Sequence, residues 1–446
     1  MGKPDDMDLS VEFAGVKMRA PIGVAAQAPF APASISGKKL AELLLKHVEA
    51  GAGYVHTPYT NVELDHPKNR LPTGRFLKAH TPGFGRSGFW VAADSYRIEM
   101  RLDESLKLVD SLKKRLPSDV PVIANIMGPG ADPGGWAELA CKFENAGADI
   151  IELDVSCPLP ASAAGAVESF SSAEHIPEHA GMLLGDNLAL TRAVTAEVVN
   201  KTRLPVGVKL TPETGFPRLV GFAEQLKEVG ARFITSVNAP LSVAPPDIHN
   251  GGKSPYPGLD ANTISPAVGP WTRYLCYRNI GTISMFVPGI DQAAVGGLVD
   301  VTHVIEAMML GAKICEFSSG TLWKGWGFIS DSLNYLRQYM LKQGYRSLEE
   351  FRGLGVQYIK PAEEIDWGLG RLTAAIDPGK CKGCEICANN LCWAITMNEN
   401  NKATVSEQDC GACALCVAIC PSNAATLVEA QTPQREEEFY ARYLGQ

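Results

Sequence analysis

Between residues 22 and 319, short runs of β-branched and apolar residues alternate with longer stretches in which apolar positions recur every three or four residues. The first pattern predicts strands buried on both faces, and the second predicts amphipathic helices packed over them. Eight strands are expected, at 22–26, 54–59, 122–128, 150–156, 206–210, 233–238, 283–289 and 314–318, with helices at 38–50, 136–146, 187–201, 216–229 and 293–310. An open parallel sheet of eight strands leaves two edges to protect, whereas closure removes both, so the pattern predicts an α/β chain folded as a (β/α)8 barrel. The second and sixth connections are long and carry Gly- and Pro-rich stretches at 71–88 and 240–258. Loops after barrel strands usually build the active-site face. A last helix is expected over 326–346, ending near Gly344.

Past this helix the barrel pattern stops. Residues 1–346 are therefore read as the barrel, 347–371 as a connector of mixed polarity, 372–430 as a separate small domain and 431–446 as a tail. Within the small domain Cys-x-x-Cys-x-x-Cys occurs at Cys381 and again at Cys410, an internal repeat offset by 29 residues.

Composition changes the picture at two points. The net charge of −8 and the lack of a long Lys/Arg run exclude a phosphate backbone as partner, so no nucleic acid is expected. The N-terminus shows no apolar secretion segment, and no stretch reaches the roughly 20 apolar residues that span a bilayer. A cytoplasmic location is expected, and there twelve cysteines read as metal ligands or catalytic thiols rather than disulfides. Four are scattered, at Cys141, Cys157, Cys276 and Cys315; eight crowd between Cys381 and Cys420.

The crowded eight are Cys381, Cys384, Cys387 and Cys392, then Cys410, Cys413, Cys416 and Cys420, with Pro421 after the last. Paired Cys-x-x-Cys also builds four-cysteine zinc sites, but zinc explains neither the tripled spacing nor the trailing Cys-Pro. The run resembles the two-cluster bacterial ferredoxins, an α+β fold holding two [4Fe-4S] clusters. In that family the fourth cysteine of each run serves the other cluster, which implies Cys420 for the first triplet and Cys392 for the second. Four residues, not three, separate Cys387 from Cys392, and Trp393 stands where proline is usual.

Iron–sulfur clusters pass single electrons, so a barrel fused to them calls for a cofactor that converts one-electron traffic into two-electron chemistry, for which flavin is the natural candidate. Gly289 and Ile290, beside Asp291 at the expected end of the seventh strand, and Ser318 and Ser319, after the eighth, are candidate FMN contacts; the alternative for such strand ends is a simple helix-start turn. No strand is followed by Gly-x-Gly-x-x-Gly, Gly128-Pro-Gly130 coming nearest, so NAD(P)H is not expected to bind this chain itself.

Glu152-Leu-Asp-Val-Ser-Cys157-Pro158, Lys209-Leu-Thr-Pro212 and Ser236-Val-Asn238, taken with the ferredoxin-like run, resemble the catalytic FMN and iron–sulfur part of the dihydropyrimidine dehydrogenase and dihydroorotate dehydrogenase families. The resemblance covers essentially the whole chain. It implies that Cys157 is the acid/base, with Ser156 its hydrogen-bonding neighbour, while flavin exchanges a hydride with the adjacent carbon. It further implies that Lys209 stabilises the anionic reduced ring, that Asn238 holds substrate, and that FMN touches Ala25, Ala26, Thr57, Asn125 and Asn238. A separate FAD-containing, NAD(P)H-binding subunit or a free ferredoxin is the implied electron donor, and a homodimer or heteromeric complex the implied assembly.

The pyrimidine-reading pattern is eroded. Asp154 replaces an asparagine, Leu159 and Ala239 stand where polar residues are usual, Pro58 falls near the place of a lysine, and Val91 near that of another asparagine. A site built from amides discriminates strongly for a ring with matching donors and acceptors, and these replacements remove that recognition. The expected substrate is a less polar cyclic or conjugated compound, not a simple pyrimidine, whose carbon–carbon double bond is reduced. Asp154 and Leu159 line it in this reading, although Asp154 equally suits a backbone cap. The alternatives are a true dihydropyrimidine or dihydroorotate dehydrogenase, and an electron-transfer subunit without catalysis. His175 and His179 in a lid candidate over 161–185, and His56 and His249 in strand-end segments, are candidate second acids.

Overall fold

The computed structural model describes residues 7–26, 37–58, 60–61, 75–80, 89–94, 101–129, 132–156, 181–212, 214–258, 264–390, 392–433, 438 and 441. The chain divides into two compact units, Met1–Ile359 and Lys360–Gln446.

The first unit is a parallel barrel of Ile22–Val24 (β1), Val55–His56 (β2), Val122–Met127 (β3), Ile150–Asp154 (β4), Val206–Lys209 (β5), Phe233–Thr235 (β6), Asp291–Val295 (β7) and Ile314–Phe317 (β8). Neighbours in the sheet follow chain order from β2 to β8, and β8 pairs in turn with β1. The remaining gap is bridged where Gly53 N donates to Ile22 O at 2.9 Å. Outward strand residues Val122, Ala124, Val206, Val208 and Ile234 share one buried core with helix residues Leu108, Leu139, Phe143, Val194 and Leu226. Truncating a side chain such as Phe143 in that layer costs about 3–5 kcal/mol.

The helices start and stop where the sequence supplies caps. Pro133–Ala146 begins at Asp132, whose side chain accepts from Gly134 N at 3.0 Å, and ends on left-handed Gly147. Leu188–Lys201 begins at Asn187, which accepts from Leu190 N. The helix expected over 326–346 spans Gly327–Gln343 and closes on Gly344 at φ 81°.

The seventh strand is the one misplaced by the sequence pattern. Residues 283–289 do not form a strand: Arg273–Phe286 is a helix that buries Cys276, Ile280 and Ile283 at intervals of four and three, and β7 follows it at Asp291–Val295. The helix expected over 293–310 shortens to Thr302–Met309 for the same reason.

The two ends of the barrel differ. At the amino ends of the strands a hairpin of Val11–Phe13 and Val16–Met18 is turned by Ala14 and Gly15, both at positive φ. Ala14 N donates to Asp291 Oδ2 at 2.7 Å, and the Phe13 ring lies 4.7 Å from that of Phe233. On the other side, the long second and sixth connections combine into one antiparallel sheet ordered Leu241–Val243, Ile264–Val268, Phe89–Asp94, Arg75–His80.

In the second unit Leu372–Ile376 pairs antiparallel with Ala425–Glu429, and Ile395–Met397 with Ala403–Val405, beside a short helix Leu415–Ile419. Among the described residues no helix is long and apolar enough to cross a membrane.

Candidate functional site

Alternation along the barrel strands sends every second side chain inward. The lower inward layer is apolar, with Ile123, Ile150 and Phe233 fully or almost fully buried. The next layer toward the carboxyl ends is not: His56, Asn125, Glu152, Thr235 and Glu316 are all buried there, where branched apolar residues usually fill a barrel. Asn125 Nδ2 donates to Glu152 Oε1 at 2.6 Å, and Thr235 Oγ1 donates to Glu152 Oε2. His56 Nε2 stands 3.6 Å from both Glu152 Oε1 and Glu316 Oε1, an ion-pair distance too long for a hydrogen bond. Burial opposes ionisation of Glu152, but His56, Lys209 and the Thr235 hydroxyl overcome it and hold the carboxyl at about 2. Burial pushes Glu316 up to about 7 against the pull of His56, with Glu152 repelling it further. Burial would depress His56, and the two carboxylates raise it instead.

Above this layer lies the barrel mouth. Asp154 Oδ1 accepts from Ser156 N at 3.2 Å and from Ser156 Oγ at 2.9 Å, so the carboxylate does cap its local backbone. Asn238 Nδ2 reaches Ser156 Oγ at 3.2 Å and Asp154 Oδ1 at 3.5 Å, while its Oδ1 accepts from Ala239 N. Lys209, almost fully buried, is the register partner of both Asp154 and Thr235 on the flanking strands. Thr57 Oγ1 accepts from Asn125 N at 3.1 Å, and Ala25 N donates to Phe317 O. Ala25 is buried, Ala26 half-buried. Ser318 precedes the helix Ser319–Lys324 directly after β8, and Ser319 is buried. Cys157, Leu159, His175 and His179 lie outside the described residues, and His249 sits in an exposed turn.

Gly289 and Ile290 are not with this group. They precede β7 and so stand at the amino end of the barrel, where Lys227 Nζ donates to Pro288 O. The residues that follow β7 at the mouth are Gly296 and Gly297, at φ 111° and 67°. A Cβ on Gly297 would come within 2.4 Å of Arg273 N, and one on Gly320 within 2.6 Å of Leu298 O. The glycine signal expected at 289 lies instead at Gly296-Gly297, directly after a β7 that includes Ala293-Ala294. Of the scattered cysteines, Cys276 is buried, pushed up to about 12 by burial, and bonded to Ser236 Oγ at 3.2 Å; Cys315 is likewise buried and raised. Both are packing residues.

In the second unit the cysteines converge on two cavities. Cys381, Cys384, Cys387 and Cys420 line one, with Cys416 on its wall. Cys392, Cys410, Cys413 and Cys416 line the other, with Cys387 on its wall. The repeat extends to the backbone: Gly383 and Glu385 take left-handed φ of 66° and 62°, and Ala412 and Ala414, each 29 residues later, take 53° and 57°. These left-handed residues turn the chain tightly between successive thiols. Cys392 N donates to Asn390 Oδ1 at 2.9 Å within the lengthened spacing. Backbone N–H groups of Ala374 and Ala424 point at Cys410 and Cys420 sulfurs, at 3.3 and 3.2 Å. Among the described residues, no three cysteine sulfurs lie within 4.8 Å of one another. A tetrahedral zinc would hold four of them about 3.8 Å apart.

No family model matches the chain. Individual relatives do. The NAD-dependent dihydropyrimidine dehydrogenase subunit PreA of Escherichia coli (strain K12) is 28% identical over 297 residues, 65% of this chain and 66% of PreA, so the match spans just under two thirds of that relative's length. The putative dihydroorotate dehydrogenase A (fumarate) of Aeropyrum pernix is 26% identical over 349 residues, 78% of this chain and 97% of that protein. The chloroplastic dihydropyrimidine dehydrogenase (NADP(+)) of Arabidopsis thaliana is 24% identical over 365 residues, 79% of this chain and 78% of that protein. The parallel eight-stranded barrel and the cysteine-rich C-terminal unit thus stand beside a similarity, at 24–28% identity, to dihydropyrimidine and dihydroorotate dehydrogenases.

Proposed function

We propose that the chain is an FMN- and iron–sulfur-dependent oxidoreductase that acts on a carbon–carbon double bond of a cyclic or conjugated substrate at the barrel mouth. The observation that carries this reading is the linked set Asp154, Ser156 and Asn238 at the ends of β4 and β6, with buried Lys209 on β5 between them. Ser156 gives its proton to Asp154 and offers a lone pair to Asn238, so its hydroxyl is held in one orientation immediately before Cys157. Cys157 is the proposed proton donor to substrate.

The residues fit FMN. Lys209 supplies a buried cation for an anionic ring, and the backbone after β7 and β8, at Gly296, Gly297, Ser319 and Gly320, packs too closely for added side chains, as phosphate-holding barrel loops do. When bound, FMN would supply hydride exchange with the substrate carbon. Thr57, Asn125 and Ala25 are the proposed further contacts. Cys381, Cys384, Cys387 and Cys420 are the proposed ligands of one [4Fe-4S] cluster, and Cys392, Cys410, Cys413 and Cys416 of a second, delivering electrons from a partner subunit or ferredoxin.

The test is anaerobic reoxidation of the reduced, flavin-loaded protein by a panel of cyclic enones, aromatic acids and pyrimidines. Rapid turnover by a non-pyrimidine, lost in Cys157→Ser, is expected. The names of the relatives favour a second reading, a dihydropyrimidine dehydrogenase; fast reduction of uracil or thymine would replace the first reading with it.

A further inference from the structure

The ionisable layer inside the barrel is not used by the chemistry above. His56, Glu152 and Glu316 come from three separate strands, β2, β4 and β8, and converge inside the sheet. Their side chains are fully buried or nearly so. Among the described residues, neither ring nitrogen of His56 and neither oxygen of Glu316 has a hydrogen-bond partner. A buried carboxyl with no donor at either oxygen stays ionised only where a cation completes it, and otherwise takes up a proton.

The geometry admits one. His56 Nε2 lies 3.6 Å from Glu152 Oε1 and from Glu316 Oε1, and each of the three residues offers a ligand atom within 4.8 Å of the others. Three atoms spaced about 3.6–4.8 Å apart leave a point about 2.1–2.8 Å from all of them, a range that takes in the bond lengths of a divalent ion to imidazole and carboxylate. Glu152 is already oriented by Asn125 and Thr235, the outer support that metal-binding carboxylates receive. Charge points the same way. The carboxylates Glu152, Glu316 and Asp154 face Lys209 and His56, and a divalent cation that displaces the imidazole proton would meet two negative charges left uncancelled by Lys209.

We infer that His56, Glu152 and Glu316 form a binding site for one divalent transition cation, zinc by ligand type, inside the barrel and separate from the cysteine unit. The inference does not rest on the flavin reading, since the three ligands are neither flavin contacts nor proton donors in it.

The test uses the full chain with its iron–sulfur centres intact. Elemental analysis and titration with zinc chloride after mild chelation are expected to give about one non-iron equivalent per chain, with a zinc-edge absorption spectrum of nitrogen and oxygen neighbours only. Glu316→Gln is expected to weaken zinc by more than about 100-fold while leaving iron content unchanged. His56→Gln serves the same purpose should the first variant fold poorly. Three results would each overturn the inference: no zinc uptake by the wild-type protein, uptake unchanged in whichever variant folds, or sulfur neighbours in the zinc spectrum, which would move the metal to the cysteines.

Discussion

The two units gather their chemistry in opposite ways. In Lys360–Gln446 each run opens with three cysteines spaced three residues apart on tight local turns, and one cysteine from the other run completes each cavity, so most of each set is written in the local spacing. In the barrel, His56, Asn125, Glu152, Lys209, Thr235 and Glu316 come from six strands, and only closure of the sheet makes them neighbours. A local site announces itself in sequence, whereas a site made by topology does not. It also follows that damage should stay local in the first case and spread in the second.

The largest effect should come from the cysteines. Cys384→Ala is expected to remove about half of the bound iron, and Cys413→Ala the other half, as one cluster is lost from each pair of ligand runs. Loss of all iron from either variant would show that the two cavities are not independent. Cys157→Ser should next lower turnover by about 10²–10⁴-fold while the flavin is still reduced through the clusters. Equal loss of both would make the residue structural.

A smaller effect is expected from pH on the barrel's outer layer. Burial, beside the Trp326 ring at 4.5 Å, drops His47 to about 4 from an ordinary 6.5. A depressed imidazole binds its proton more readily in the unfolded chain, so the associated stability is complete above pH 6.5 and lost as pH falls toward 4. The loss is on the order of 3 kcal/mol. Urea melts of wild type and His47→Gln between pH 7.5 and 4.5 measure it, and the variant should show the shallower decline. Smallest is Gly320→Ala, whose Cβ would meet the Phe328 ring at 2.5 Å; about 1–3 kcal/mol of destabilisation is expected in the same melts.

Seven of the eight barrel strands were legible because parallel strands buried on both faces read as apolar runs, as at Val122–Met127 and Ile150–Asp154. The seventh was not. Ile283-Ser-Met-Phe-Val287 is apolar and β-branched yet ends a helix, whereas the strand Asp-Gln-Ala-Ala-Val is short of branched residues and spends Gln292 on the helix, donating to Ser284 Oγ at 2.7 Å and to Ile280 O. Misplacing that strand displaced the glycine pair with it. At the site, Asp154, Ser156, Lys209 and Asn238 were legible from their resemblance to known sequences. His56 was visible only as one histidine among several, and Glu316 carried no signal, since an acid between Cys315 and Phe317 in an apolar run gives no hint of which strands will face it.

The antiparallel sheet above the barrel binds two connections that are far apart in the chain, through pairs such as Ala267 with Ala92 and Val268 with Val91. Neither paired stretch can then be deleted or exchanged by itself without stripping backbone partners from the other. A change of these loops that replaces the paired stretches must therefore move both together, as a matched cassette.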